Sequence, residues 1–496
     1  MEYESLHSID GFGAIDADDD DLLRDCFEDH PAYRSALAHD RFLVVGRKGS
    51  GKTAIFRKFI TTKRHNYFCF GHTFTDYPWE YHDLQARSGV PEELRYVESW
   101  KYLVLVSLAK ILLNQDHSVP WSDESAESSE RLEDFIVDSY GSRDPDLTQL
   151  FQPNKEIKLK GTLKVPFVDI AGERIRVRDL PARTAEVNRA VREYIMATLN
   201  PEHDYYICFD QLDREFLADD PKYAQRVTGL ILAARDLSLS ARESGKRLSV
   251  VVFLRDDIYQ LLHFEDKNKL SDRRLSHIRW DVMGPDLTLR KVMETRFSRV
   301  LGRSDGSVSW DEVFDETKQM PGRQSKYSHI CDRTFRRPRD VIRFCNEILS
   351  VYKRDEGSSG LFENAVVAAA REGYSDYLLQ ELDDEIAKQV PLYDQYLDIL
   401  RDISTIQFNW RHFYNRWTLH PALSKSGIDP REALRDLFDF SVIGFLRPGG
   451  GTGGSQYLWK YRDARVRLSP EAETFRVHPG FKEALDLTKG RHPTIS

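Results

Sequence analysis

The sequence has few sulfur-containing residues and no long apolar run. Its 496 residues include five cysteines and five methionines. The cysteines are odd in number and show no C-x-x-C spacing, which excludes a disulfide framework and the common zinc patterns and predicts reduced thiols. No apolar segment approaches the ~20 residues that a membrane-spanning helix needs, so we expect no membrane contact.

The sequence also lacks a basic excess. The net charge is −9, with 41% hydrophobic and 30% charged residues. These values are typical of a soluble globular protein and argue against a generally cationic nucleic-acid binder, while leaving room for a local basic face. Residues 1–4 lack the basic and apolar regions of a signal peptide, so we expect a cytoplasmic protein. A chain of this length predicts two or three domains.

The most specific pattern lies at residues 46–53, which read G-R-K-G-S-G-K-T. They match the complete G-x-x-x-x-G-K-[ST] phosphate-binding loop, with an apolar strand predicted before it and a helix after it. In such loops the lysine reaches the β- and γ-phosphates and the threonine ligates Mg²⁺. The pattern therefore predicts binding of ATP and Mg²⁺ by Gly46, Arg47, Lys48, Gly49, Ser50, Gly51, Lys52 and Thr53.

A second part of the site is predicted at the end of the apolar strand 205–209. Asp210 follows that strand, where P-loop enzymes place the acid of the Mg²⁺ site, so Thr53 and Asp210 are the predicted metal ligands. Gln211 comes next, and a neutral amide can orient water but cannot accept its proton. Either Asp213 is the catalytic base, or hydrolysis is slow and the nucleotide acts mainly as a switch.

Several arginines are candidates for phosphate contacts. Arg255 ends the predicted strand 248–254, where it can sense a γ-phosphate, although a plain surface turn is the alternative. Arg339 lies in the segment R-R-P-R-D and is predicted at a helix start facing the nucleotide phosphates, with a simple basic flank equally compatible. Three further arginines are candidates for a neighbouring subunit's nucleotide: Arg273, Arg274 and Arg279.

The alternation of strands and helices predicts an α/β fold with a parallel, doubly wound sheet and ligands at the carboxyl ends of its strands. We assign residues 1–285 to this P-loop core, 286–390 to a helical lid and 391–496 to a winged-helix-like domain. An insertion at about 115–183 contains a predicted β-hairpin, 155–179, whose basic face suits nucleic acid, a partner or simply solvent.

Three smaller features complete the sequence-based predictions. The acidic run 16–21 is expected to cap a helix, where carboxylates favour the exposed N–H groups, and a metal site is the alternative. Residues 116–143, rich in Ser, Asp and Glu, predict a loop or a weak helix. A lone His478 is expected to be structural, and Ser271 breaks the guanine-reading N-K-x-D motif, which favours adenine.

The order of these elements resembles a known family. A phosphate loop, a strand ending F-D-Q-L-D, an arginine-tipped strand, an R-P-R-D helix and a winged helix together resemble the STAND and origin-initiator-related branch of AAA+-like ATPases. Bacterial members of this kind occur in phage-defence and mobile loci. The resemblance covers about residues 6–490 and implies an ATP-dependent switch or assembly module that works as a homo-oligomer or with a partner effector protein.

Two features depart from that family pattern. Gln211 stands where a glutamate is usual, and 158 positions separate Lys52 from Asp210, far more than the roughly 30 residues of a plain βαβ unit. Two alternatives therefore stay open: a DNA-directed ATPase that uses the winged helix or the basic hairpin, and a nucleotide-bound scaffold that does not hydrolyse.

Overall fold

The chain forms two compact units in the computed structural model. The first is Asp29–Ile278, and the second joins Arg279–Ser496 to Met1–Glu28. The structure describes residues 5–74, 79, 82–83, 91–146, 156–158, 164–165, 168–169, 174–176, 180–215, 220–280, 288–302, 307–354, 360–387, 389–449 and 454–489.

The first unit alternates strands and helices along most of its length. Its elements are α1 (Pro31–Leu37), β1 (Leu43–Gly46), α2 (Lys52–Thr61), β2 (Tyr67–Thr73), α3 (Val97–Asn114), α4 (Asp123–Tyr140), β3 (Glu156–Lys158), β4 (Lys164–Val165), β5 (Val168–Asp169), β6 (Arg174–Arg176), α5 (Leu180–Thr198), β7 (Asp204–Asp210), α6 (Pro221–Glu243), β8 (Arg247–Arg255), α7 (Asp256–Leu261), α8 (Lys267–Arg274) and β9 (Leu275–His277).

Five of these strands form a parallel sheet in the order β2-β7-β8-β1-β9. Strands β1, β7 and β8 are buried along nearly their whole length, as expected for a sheet covered by helices on both faces. The predicted parallel sheet is thus confirmed. Because all five strands point the same way, their carboxyl ends lie along one edge, where Gly46 pairs directly with Arg255.

Helix α3 forms the centre of the helical layer that contacts α5 and α6. Its apolar residues are buried almost all round, from Trp100 to Leu112. Gly229 of α6 allows the close approach, because a Cβ there would lie 2.9 Å from Cβ of Tyr96. This packing anchors the helices that lead into β7 and β8.

The segment predicted as a loop or a weak helix contains a well-formed helix, α4, so the helix is the alternative that the structure supports. Ser122 caps α4 by accepting a hydrogen bond from the Ser125 N–H, and Gly141 ends the helix with φ 75°. Leu132, Phe135 and Ile136, at helical spacing, are buried. The Ser, Asp and Glu residues therefore belong to a capped helix with one apolar stripe, not to a loop.

The predicted hairpin is present as an antiparallel ribbon. Strand β3 pairs with β6, with Ile157 opposite Ile175, and β4 pairs with β5. The sequence predicts the turn of this hairpin at residues 171–173, but Val165 pairs with Val168, so the chain reverses between those two residues and the predicted position of the turn is wrong. Lys155, Lys160 and Arg178 lie outside the described residues. The function expected for the basic face stays a prediction.

The second unit is mainly helical before it ends in a small antiparallel sheet. Its elements are α9 (Leu289–Val300), α10 (Lys326–Arg333), α11 (Pro338–Lys353), α12 (Asn364–Ile386), α13 (Tyr393–Ile403), β10 (Gln407–Asn409), α14 (Trp410–Leu419), α15 (Pro430–Asp439), β11 (Ile443–Arg447), β12 (Gln456–Leu458) and β13 (Thr474–Val477). The sheet order is β10-β13-β11-β12.

Aromatic packing holds this second unit together. Phe344 of α11 stacks on Tyr374 of α12 with ring centroids 4.4 Å apart. His478 is fully buried, accepts a hydrogen bond at Nδ1 from the Gly480 N–H at 3.1 Å, and lies 4.8 Å from the ring of Phe335. The expectation that His478 is structural is confirmed.

The acidic run 16–21 does not cap a helix, so that prediction is wrong. The described residues from 16 to 26 form turns, and Asp20 binds Arg296 of α9 at 2.5 Å in a buried ion pair. Phe12 also packs edge-on against Phe297 at 4.9 Å. These contacts explain why residues 5–28 belong to the second unit, whereas the sequence pattern predicts them in the core domain.

Candidate functional site

The predicted phosphate loop connects β1 to α2 at the carboxyl edge of the sheet. Gly49 and Gly51 have φ values of 76° and 102°, in the left-handed region that favours glycine. A Cβ at Gly46 would lie 2.4 Å from Oγ of Ser50. The Ser50 N–H closes the turn by donating to the Arg47 carbonyl at 3.1 Å. The glycines are therefore required by the compact backbone itself.

Lys52 begins α2 and its side chain folds back over the loop. Nζ donates to the carbonyl oxygens of Gly46 at 3.1 Å and Arg47 at 3.0 Å. Burial lowers the pKa of Lys52, while the carboxylates of Asp213 and Asp210 oppose that shift. The Lys52 ammonium group is therefore close enough to Asp210 and Asp213 for both carboxylates to stabilise its positive charge.

Asp210 ends β7 at the same edge and is almost completely buried, with 1% of its surface exposed. Burial raises the pKa of this carboxyl to about 6, against the effects of the Lys52 charge and the Thr53 hydroxyl. Within the described residues, its Oδ2 accepts no hydrogen bond. Such an atom costs about 1–3 kcal/mol or more unless a ligand satisfies it. The predicted metal ligands Thr53 and Asp210 therefore lie side by side, and Oδ2 of Asp210 is left able to accept a further bond.

Gln211 directly follows Asp210 in an unusual backbone conformation. Its φ is 62°, in the left-handed region that few non-glycine residues adopt. The chain then forms a short 3₁₀ turn, Leu212–Glu215, which Tyr223 anchors by donating its hydroxyl to the Leu212 carbonyl at 2.9 Å. Asp213 lies on this turn. Strained residues of this kind are frequent at functional sites.

Arg255 ends β8 and is held by two carboxylates. It donates to Asp257 through Nε at 3.0 Å and Nη2 at 2.5 Å, and its Nη1 lies 3.4 Å from Oδ2 of Asp213. Burial disfavours the charged form of Asp257, but Arg255 keeps the pKa of that carboxyl below its usual value. The sequence predicts Arg255 at this edge but does not predict its ion pairs. The nearby Asp257 was the signal for one of them.

The remaining predicted arginines lie away from this edge or in the other unit. Arg274 ends α8, before β9 begins, and donates through Nη1 to the Asp40 carbonyl at 3.1 Å. Arg339 belongs to the second unit, where Pro338 starts α11 as expected and Arg339 binds Glu381 at 3.2 Å. Their roles in phosphate binding, including contacts with a neighbouring subunit, stay predictions.

Two negative observations apply to the described part of the chain. Among those residues, no group of three or more His, Cys, Asp and Glu side chains is arranged to hold a metal ion. A Mg²⁺ site formed with nucleotide phosphates needs fewer protein ligands, so the pair Thr53 and Asp210 is unaffected. None of the helices described combines the length and apolar character needed to cross a membrane.

Comparison with known proteins identifies one segment. A family model described as a FunZ-associated C-terminal helical domain matches residues 287–383, about a fifth of the chain. The segment includes α9, α10 and α11 and most of α12, and it falls within the residues predicted as a helical lid. No curated protein matches the chain at a significant level.

Proposed function

We propose that the first unit binds ATP and Mg²⁺ as a P-loop NTPase and hydrolyses ATP slowly, so that the nucleotide acts mainly as a switch or assembly signal. The observation that carries this proposal is the buried, unsatisfied Oδ2 of Asp210 beside Lys52 and Thr53. A cation bound between this carboxylate and nucleotide phosphates would satisfy it.

The residues present fit this pair of ligands. Backbone N–H groups at the start of α2 and the Lys52 ammonium suit the phosphates, since a helix N-terminus carries partial positive charge. The Thr53 hydroxyl and the Asp210 carboxylate supply the hard oxygen ligands that Mg²⁺ prefers. When bound, Mg²⁺ would neutralise charge that develops on the phosphates.

The strand order supports the likeness to AAA+-like ATPases. Strand β8 lies between β1 and β7, so an extra strand separates the phosphate loop from Asp210. ATPases of that arrangement use the residue after the acid to polarise water, and here it is Gln211. Because an amide cannot accept the proton of the attacking water, we expect ATP hydrolysis to be slow. If the rate of hydrolysis were zero, the protein would be a nucleotide-bound scaffold.

We further propose that the second unit contains a winged-helix-like domain. The succession α13, β10, α14 and α15, followed by the β11–β12 hairpin, is compatible with that fold. The exposed positions of α15 include Glu432 and Asp439 as well as Arg435. Acidic side chains repel a phosphate backbone, so this helix favours a protein partner or a second copy of the chain over DNA.

We also propose that the chain assembles with further copies of itself or with an effector protein in a defence setting. This part of the proposal rests on the resemblance to AAA+-like ATPases noted from the sequence. The exposed charges named on α15, two acidic and one basic, do not favour the DNA-directed alternative. A salt-sensitive interaction with DNA that accelerates ATP turnover would restore that alternative, because phosphate contacts release counterions.

Calorimetric titration of ATP in the presence of Mg²⁺ tests the core of the proposal. The full chain should bind one ATP, and Lys52→Ala should weaken binding by a factor of roughly 100, as expected for loss of a charged contact to phosphate. Lys58→Ala, on the same helix, is the matched control and should bind like the native protein. Equal ATP affinity in both variants would refute a phosphate loop at residues 46–53.

A further inference from the structure

A second cluster of positive charge lines a cavity at the opposite edge of the same sheet. The cavity has a volume of about 280 Å³. Five cations line it. They are Arg235 and Arg242 of α6, Lys246 shortly after that helix, Arg247 at the start of β8 and Arg274 at the end of α8. Arg247 begins β8 and Arg255 ends it, so the two edges are roughly 25 Å apart at ~3.3 Å per residue.

Only part of this charge is neutralised. Arg247 binds Asp204 at 2.6 Å, and Arg242 lies 3.8 Å from Asp40, the one carboxylate in the cavity lining. Lys246 donates to the Leu199 carbonyl at 2.6 Å, a contact that satisfies hydrogen bonding without cancelling charge. Two further carboxylates act at longer range, Asp266 on Arg235 and Glu124 on Lys246. The five cations of the lining still outnumber these four carboxylates, of which only Asp40 lines the cavity.

Arg235 is the least engaged member of the cluster. Across the described residues, its guanidinium takes part in no hydrogen bond or ion pair, although it is partly buried. Burial and the positive charge of Arg242, with Arg235 adding to it, lower the pKa of Arg274. Cations that repel one another in a cleft would be stabilised by an anion, and the cleft concentrates their field.

We propose that this cavity is a second ligand site and that it binds a compact phosphate-bearing small molecule, with Arg235 and Arg274 as its main contacts. Guanidinium groups form paired hydrogen bonds with phosphate oxygens. The volume lies just below the roughly 300–1,000 Å³ typical of small-molecule sites, which suits one or two phosphate groups with little else. The cations surround one cavity and are not arranged in a line along the surface. This arrangement favours a small molecule over a nucleic-acid backbone as the ligand.

This site is separate from the one at the phosphate loop and does not depend on ATP binding there. Its test uses the full chain carrying Lys52→Ala, to weaken the first site, and inorganic pyrophosphate as the probe at fixed ionic strength. Calorimetry should find one pyrophosphate per chain with a dissociation constant below about 1 mM. Added Arg235→Ala should weaken binding at least roughly tenfold, and Arg235→Lys should recover part of it.

The controls separate a specific site from general charge effects. Arg189→Ala removes an exposed cation of α5 outside the cavity and should leave pyrophosphate affinity unchanged. Arg235 makes no hydrogen bond or close ion pair, and its attraction to the exposed Asp266 is screened by solvent, so Arg235→Ala should unfold at about the same temperature as its parent. Pyrophosphate should then raise the unfolding temperature of the parent and not that of Arg235→Ala.

Three outcomes would overturn the proposal. One is the absence of pyrophosphate binding by both calorimetry and thermal shift. Another is equal affinity in the Arg235→Ala and Arg189→Ala variants, which would indicate diffuse attraction by surface charge. The third is Arg235-dependent binding of a 20-nucleotide single-stranded DNA without binding of pyrophosphate, which would assign the surface to nucleic acid.

Discussion

Arg255 and Asp257 form a two-point ion pair, with hydrogen bonds of 3.0 Å from Nε and 2.5 Å from Nη2. The arginine side chain is only 13% exposed, at the sheet edge that carries the predicted phosphate loop. A γ-phosphate that recruited this guanidinium would have to compete with Asp257 and with Asp213. If the first unit binds ATP as proposed, Arg255 would have two alternative contacts, one with these carboxylates and one with the γ-phosphate.

We predict that Arg255 distinguishes ATP from ADP. In Arg255→Ala the ratio of ADP to ATP dissociation constants should fall by a factor of roughly 10, because a charge-assisted hydrogen bond to the γ-phosphate is lost. Asp257→Asn should change the ratio in the opposite direction, since it weakens the competing ion pair. Calorimetry with both nucleotides gives the ratio, and Arg189→Ala, an exposed cation of α5 outside both proposed sites, is the control. An unchanged ratio in Arg255→Ala would contradict the sensing role.

The rate of hydrolysis should depend on Gln211. Gln211→Glu supplies a proton acceptor in place of an amide, and we expect ATP turnover to rise by a factor of roughly 100, the low end of general-base effects. Phosphate release measures the rate. Gln211→Asn, which tolerates the left-handed backbone at φ 62°, is the control and should stay slow. If both variants hydrolyse at the native rate, the water-positioning residue lies elsewhere.

Asp210 should be needed for Mg²⁺ more than for nucleotide. Asp210→Asn removes the charge of the unsatisfied carboxylate while keeping its shape, so the gain in ATP affinity that Mg²⁺ provides should fall by at least roughly tenfold. Binding of ATP without Mg²⁺ should change little or improve, because a negative charge near the phosphates is removed. Calorimetry with and without Mg²⁺ separates the two effects. Full retention of the Mg²⁺ effect would place the metal acid elsewhere.

Features that depend on neighbouring residues were predictable from the sequence. The sequence predicts a helix over roughly residues 221–243, and α6 has these bounds, since Asp220 caps the helix and Pro221 begins it. The strand that ends at Asp210 and the one that ends at Arg255 were also correct, because continuous apolar runs end in charged residues there. The positions of the candidate site residues along one sheet edge follow from these local patterns.

Features that depend on distant partners were not predictable. Asp20 and Arg296 are 276 positions apart, and nothing in the acidic run marks one of its members as buried. The cavity around Arg235 joins α6, β8 and α8, and only the sheet order brings their ends together. Short elements such as α10 and β10 carry too few residues for their periodicity to be recognised.

The stability of the second unit should depend on the protonation of Asp436. Burial and the nearby charges of Glu432 and Asp439 raise the pKa of this carboxyl to about 6. The folded form therefore holds the proton more tightly than the unfolded chain, whose pKa is near 3.8. The stabilisation from this proton is complete below about pH 4 and is lost as pH rises through about 6.

Asp436→Asn should consequently stabilise the protein only at higher pH. We expect its unfolding temperature to rise by about 2–4 °C at pH 7.5, which corresponds to ~1 kcal/mol after allowing for partial exposure, and to change little at pH 3.5. Asp384→Asn, at an exposed position of α12, is the control and should show no such dependence. An equal effect of Asp436→Asn at both pH values would rule out the linkage.

The buried ion pair between Asp20 and Arg296 should hold residues 5–28 to the second unit. Both side chains are less than 5% exposed, and Arg296 also donates to the Phe12 carbonyl at 2.8 Å. Asp20→Asn leaves a buried positive charge without its counterion and should cost about 3 kcal/mol of unfolding free energy. In the double variant Asp20→Asn with Arg296→Met, no buried charge remains, so most of that loss should be recovered. Chemical unfolding of the four proteins gives the coupling, and additive effects would mean that water already screens the pair.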